Sequence, residues 1–214
     1  MKFYLVKGPL LWGDYGSILA SGISRRGSSD SDPFLLFRTG PFIPPISFPH
    51  RHVVVSDDFR QLVDSSGLFT FEYRSVVKQH IAKLHWERWD RSAPDPQFLP
   101  RGGEPESYLL NRWHSWLAAR AMGKIWELIL PEGAETESHR KKGERKKGEP
   151  GMHVMVNGAT WSGAHFFRSK NQGWKIASEV GCEWLRKHAA EWTTLHPCIA
   201  WDDRFAYYQP NENS

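Results

Sequence analysis

The chain has 214 residues, 40% of them hydrophobic and 14% aromatic, with eleven tryptophans and a formal net charge of +4. That length fits one large domain or two small ones, and that apolar content is enough for a core, which excludes wholesale disorder. With two cysteines, no h-region behind Phe3-Tyr4-Leu5-Val6 and no apolar run of spanning length, a disulfide scaffold and a membrane partner are excluded and a soluble cytoplasmic chain is expected.

Lys2–Lys7 alternates and predicts an opening strand. Residues 8–33 are rich in Gly and Ser and read as loop, most clearly at Arg25-Arg26-Gly27-Ser28-Ser29-Asp30. Phe34–Arg38 predicts a second strand. From Thr39 to Pro49 the prolines forbid a helix, and Phe42, Ile43, Ile46 and Phe48 suit an extended connector clamped on the core. Val53-Val54-Val55 then leads into Ser56, a natural N-cap whose hydroxyl can accept an orphan N–H of the first turn. Asp57 and Asp58 follow at the positive end of the helix dipole. Phe69, Phe71 and Tyr73 alternate as strand, and residues 76–86 continue as a long strand or a hairpin.

Residues 87–105 form a polar, proline-rich loop. Residues 107–122 predict one helix with Gly123 as its C-cap, and 125–130 a strand ended by Pro131. Residues 133–151 have no apolar residue beyond Ala134, so a mobile charged loop is expected there. Its interspersed glutamates and missing aromatics argue against a phosphate-binding arm. Short strands follow near 154–156 and 165–168, with a last one near Arg204–Tyr207.

Between them the pattern around Ser56 returns. Trp174-Lys175-Ile176 leads into Ser178-Glu179, Trp184-Leu185 stands where Leu62-Val63 stood, and Cys198 stands where Val76 stood. Position 56 to 178 and position 76 to 198 share an offset of 122. Units near 53–76 and 175–198 therefore read as an internal duplication within a single 1–214 domain. The fold class that follows is α+β, a mixed or antiparallel sheet with a few short helices and two related strand–helix–strand units.

The chain has no phosphate-binding loop, no dinucleotide fingerprint, no nucleophile elbow and no H-E-x-x-H. Cys182, His188, His196 and Cys198 are the residue types of a zinc site. No C-x2-C spacing accompanies them, and a small buried Cys in a Val position is the commoner outcome. Asp57, Asp58, His85, Glu87 and Asp90 could do acid–base work, yet no motif brings them to a nucleophile. No catalytic residue, cofactor or metal ligand is assigned. One aromatic constellation remains. Trp86, Arg88, Trp89, Arg91, Arg112, Trp113 and Trp116 flank the polar loop, and Trp and Arg are the residue types that anchor interfaces. Core packing of Trp86 and Trp116 is the competing reading. Trp89 and Arg112 are the preferred anchors.

Five segments, MKFYLVK, FRTGPFIPPISFP, VVVSDDFRQLVDSSGLFTFEYRSV, EPESYLL with HSWLAARAMGKIWELILPE, and FFRSKNQGWKIASEVGCEWLRKHAAEW, together resemble a family. It is that of bacterial proteins related to the immunity proteins of polymorphic-toxin and type VI secretion systems, including sets abundant in myxobacteria. Related myxobacterial proteins carry paired C-x-x-C-G motifs, which this chain lacks, so no zinc site carries over. The resemblance implies a non-enzymatic role: binding a cognate protein toxin and occluding its active site. The alternatives are a small basic nucleic-acid-binding module or an uncharacterised enzyme.

Overall fold

The computed structural model describes residues 1–12, 14–25, 32–88, 90, 92–93, 104–140 and 151–201. The chain opens with β1 (Phe3–Lys7), which buries Phe3, Leu5 and Val6. α1 (Asp14–Ser21) occupies part of the stretch read as loop. Leu19 and Ala20 bury, and Gly22 ends the helix at φ 80°, its N–H donating to Ile18 O at 2.7 Å. Only glycine fits there, since a Cβ would stand 2.6 Å from Phe37 O. The Arg25–Asp30 loop lies mostly outside the described residues. β2 (Ile23–Arg25) precedes β3 (Phe34–Gly40), and the proline connector ends in β4 (Ile46–Ser47). Arg38 of β3 is fully buried. Its guanidinium donates to Ala20 O (3.1 Å) at the negative end of α1, and burial pushes its pKa down to about 9.

β5 (Val54–Ser56), α2 (Asp57–Ser65) and β6 (Glu72–Lys83) follow, and β6 runs unbroken through the stretch that left strand and hairpin open. The single helix expected over 107–122 is two, α3 (Pro105–Asn111) and α4 (Trp116–Ala121). Arg112 between them is extended, at φ −78° and ψ 155°, because Ser115 N donates to Ile81 O (2.8 Å) instead of continuing α3. β7 (Ile125–Ile129) comes next. The charged loop expected at 133–151 is narrower than its composition suggests. Thr136–Arg140 is β8, paired with β9 (Met152–Val156), and Thr136 is buried with its N–H on Asn171 Oδ1 (3.0 Å). Residues 141–150 lie outside the described residues, as do 202–214 with the strand expected near Arg204. β10 (Phe166–Arg168), β11 (Lys175–Ser178), α5 (Glu179–Ala189), β12 (Thr194–Pro197) and β13 (Ile199–Ala200) complete the chain.

The architecture is α+β and divides into two units. Unit A holds Gly8–Gly67 and Phe71–Ile129; unit B holds Met1–Lys7, Leu68–Thr70 and the chain from Leu130 on. Unit A has a six-stranded sheet in the order β2-β3-β6-β7-β5-β4, parallel only between β3 and β6. Phe34, Leu36, Val54, Val76, Ile81, Ala118, Met122 and Ile125 form its core. Unit B has an antiparallel sheet β10-β11-β1-β12 and a smaller sheet β13-β9-β8, with β13 parallel to β9. Its core gathers Phe3, Leu5, Val154, Val156, Phe167 and Ile176, with Phe3 edge-on to Phe167 at 6.0 Å. No helix among the described residues is long and apolar enough to cross a membrane.

Ser56 and Ser178 both cap helices. Ser56 Oγ accepts from Phe59 N and Ser178 Oγ from Gly181 N, each at 3.3 Å. The two environments differ. Ser56 is half-buried, whereas Ser178 is buried and its Oγ also lies 2.9 Å from His165 Nδ1. Ser56→Ala is expected to cost about 1 kcal/mol, the ordinary loss of a cap. Ser178→Ala should cost more, roughly 2 kcal/mol, because it also removes the partner of the half-buried His165 imidazole. Urea unfolding of both variants checks the ranking.

Candidate functional site

The segment from α3 to α4 is held to unit A at several points. Pro105 begins α3, where its missing N–H is no loss, and Leu109 is fully buried. At the break, Ile81 N donates to His114 Nδ1 (3.2 Å), and Ala82 and His114 form a β-bridge. Ser115 caps α4 by accepting from Ala118 N (3.3 Å). Ala118, Ala119 and Met122 turn inward, and the two alanines are small enough to bring α4 close to β6. Lys78 Nζ donates to Gly123 O (2.8 Å) and to Ala119 O, closing the carbonyl end of α4.

What turns outward is apolar. Trp113 is 94% exposed, Trp116 78% and Leu117 80%, and Leu110 is also exposed. The Trp116 ring meets His114 edge-on at 4.1 Å, which fixes its place without covering it. Arg112 lies over the Tyr108 ring at 4.7 Å, and Arg112, Arg120 and Lys124 are exposed cations of the same segment. The α3–α4 segment thus displays two indoles and two leucines to solvent, with exposed cations among them.

Three of the seven residues singled out from the sequence, Arg112, Trp113 and Trp116, stand together on this segment. Arg88 is exposed in the 3-10 turn Trp86–Arg88 on the far side of the polar loop. The Trp86 side chain, Trp89 and Arg91 lie outside the described residues. The core reading of Trp116 is overturned by its exposure: Ala118 and Ala119 take the inward positions of α4. Leu110 and Leu117 were missed because leucine reads by type as a core residue. Ser115 before Trp116, a cap residue with small residues three and four positions on, was the available signal.

Cys182 and Cys198 are free, and burial raises both thiols, Cys198 to about 12, so neither is a thiolate at neutral pH. Among the described residues no three His, Cys, Asp or Glu side chains come together as a metal set. Comparison with family models, curated proteins and solved structures finds no match for this chain.

His114 ties the surface to pH. Burial, and then the charge of His80 beside it, hold its pKa below 6.5. Its Nδ1 accepts from Ile81 N, so protonation breaks that bond. A folded pKa below the unfolded one gives stability that is present above pH 6.5 and is lost as pH falls through the folded value. The wild type should therefore lose more thermal stability between pH 7.5 and 5 than His114→Asn, whose side-chain oxygen can accept from Ile81 without titrating. Melting curves across that range test this, and equal pH slopes would refute it.

Proposed function

We propose that this chain is a non-enzymatic immunity protein, of the type its sequence resembles, that binds a cognate toxin through the α3–α4 surface. The observation that carries this reading is the exposure of Trp113, in the break after α3, and of Trp116 and Leu117 on α4, in a segment bonded to the sheet through Ser115 and His114. Exposed apolar groups gathered in one place mark interaction sites, and Trp is the residue type most enriched among binding hot spots. The anchoring of α4 reduces the ordering cost of association. Arg112, Arg120 and Lys124 complement a partner whose apolar residues are set among carboxylates. Occupying the toxin's active site needs no bond made or broken, so no catalytic group is required. The two free cysteines fit action in the cytoplasm.

Tryptophan beside arginine is also what single-stranded nucleic acid stacks on. Leu110 and Leu117 offer no such platform, and Glu104 and Glu106 at the start of α3 would repel phosphates. Protein is the better fit.

Trp113→Ala and Trp116→Ala are each expected to weaken binding to a catalytically inactivated cognate toxin by about thirtyfold, roughly 2 kcal/mol. Stability should stay within about 0.5 kcal/mol of wild type, since neither side chain is part of the core. Calorimetry with the purified pair measures the first and thermal melts the second. Unchanged affinity in both variants would remove this surface. A salt-dependent shift of a single-stranded oligonucleotide, lost in Trp113→Ala, would replace the toxin with nucleic acid.

A further inference from the structure

We propose that the chain consists of two copies of one repeat whose first strands have changed places, each completing the other copy's sheet. The pairing registers carry this. β1 pairs with β11 as Phe3↔Ser178, Tyr4↔Ala177 and Leu5↔Ile176, and with β12 as Tyr4↔Pro197, Leu5↔His196, Val6↔Leu195 and Lys7↔Thr194. β7 pairs with β5 as Ile125↔Ser56, Trp126↔Val55 and Glu127↔Val54, and with β6 as Trp126↔Ser75, Glu127↔Arg74, Leu128↔Tyr73 and Ile129↔Glu72. Every pairing of β1 recurs in β7, with both partners exchanged across the same 122 positions that separate Ser56 from Ser178. Phe3 corresponds to Ile125 and Lys7 to Ile129.

The likeness extends over the whole sheet. β4 lies antiparallel on β5 as β10 lies on β11, and β3 lies parallel on β6 as β9 lies on β13. β12 and β13, with Cys198 alone between them, take the part of the unbroken β6. The order β4-β5-β7-β6-β3-β2 thus has its counterpart in β10-β11-β1-β12, then β13-β9-β8.

In each copy the helix joins two parallel strands that do not touch. Between β5 and β6, and between β11 and β12, lies a slot one strand wide. The first strand of the same copy does not fill it. β1 precedes β5 in the chain but sits between β11 and β12, whereas β7 opens the second copy and sits between β5 and β6. Exchange of an identical element between copies is the geometry of a domain-swapped dimer, here fused into one chain.

Side chains fit each strand to its slot. Glu127 of β7 is buried, and His52 Nδ1 meets its Oε1 at 2.7 Å. The position of β1 that corresponds to Glu127 is Leu5, packed with Phe167 and Ile176. Placed in that slot, β7 would bury a carboxylate with Trp174 where His52 stands in the other copy, which is costly for an unpaired charge. Trp126 Nε1 donates to Asp57 Oδ1 (2.6 Å) and its ring lies under Arg60, while Tyr4 lies under Arg186 of the other helix.

Cysteine pairs at the half-buried or exposed ends of these strands decide the matter in the full chain, with Cys182→Ala and Cys198→Val as background. Exchange predicts that Lys7→Cys with Thr194→Cys, and Ile129→Cys with Glu72→Cys, form disulfides within the monomer under mild oxidation, since paired strands hold Cα atoms at bridging distance. Lys7→Cys with Glu72→Cys, and Ile129→Cys with Thr194→Cys, are the pairs that a self-completed repeat would link, and they should stay reduced. Peptide mapping of the oxidised monomer, with circular dichroism to confirm folding, reads the result. Linkage in the second set, or its absence from the first, would overturn the exchange.

Discussion

One central strand holds each unit's main sheet together, β7 in unit A and β1 in unit B, and each has a strand on both sides. β1 and β7 are the only described strands that sit between the two arms of a strand–helix–strand unit. Leu5, Val6, Ile125 and Leu128 on them are buried. Without β7, β5 and β6 would both become open edges, their N–H and C=O groups unpaired along a buried face. The same holds for β11 and β12 without β1. Helices α2 and α5 pack on platforms that exist only once these central strands are in place, which makes the caps at Ser56 and Ser178 secondary to the slot-filling strands.

The candidate binding surface stands apart from this common scaffold. α3 and α4 lie between β6 and β7, in the link between the two proposed copies. The surface is nonetheless fixed to the scaffold through Ile81, Lys78 and the small residues of α4. A rigid sheet carrying a short, firmly attached helix suits tight binding, because little freedom remains to be lost on association. The exposed indoles have no place in the economy of the fold itself, since Ala118, Ala119 and Met122 supply the buried face of α4.

Much of the sheet was legible from alternation and caps. The strands at 3–7, 34–40, 54–56, 125–129, 152–156 and 175–178 lie at short apolar runs, and most of their residues are buried. Three features were not legible, each for a physical reason. α1 lies in a segment whose Gly16 and serines lower helix propensity, and it forms because Leu19 and Ala20 find the core and Arg38 finds its carbonyls. β8 carries Glu137, His139 and Arg140, and its only buried residue is Thr136, so no apolar alternation announced it. The break at Arg112 is imposed by the bonds of Ser115 and His114 to Ile81, a long-range contact that local propensity cannot report. Of the aromatic set, Trp113 and Trp116 were legible as interface residues by type. Their exposure depended on that same break. The strand exchange was written in the 122-residue offset of Phe3–Lys7 and Ile125–Ile129, but FYLVK and IWELI have no residue in common at matching positions and share only their pattern of burial.

Native-state hydrogen exchange on the full chain carrying Leu5→Ala tests the central role of these strands most directly. Leu5 lies early in the sequence, yet its removal should loosen the distant segments that β1 joins. The account predicts faster exchange at Phe166–Arg168, Lys175–Ala189 and Thr194–Pro197, by the factor that a buried Leu→Ala loss of about 2–5 kcal/mol implies. Val54–Ser65 and Glu72–Lys83 should keep their wild-type protection. Faster exchange at those residues, with 166–197 unchanged, would contradict the account.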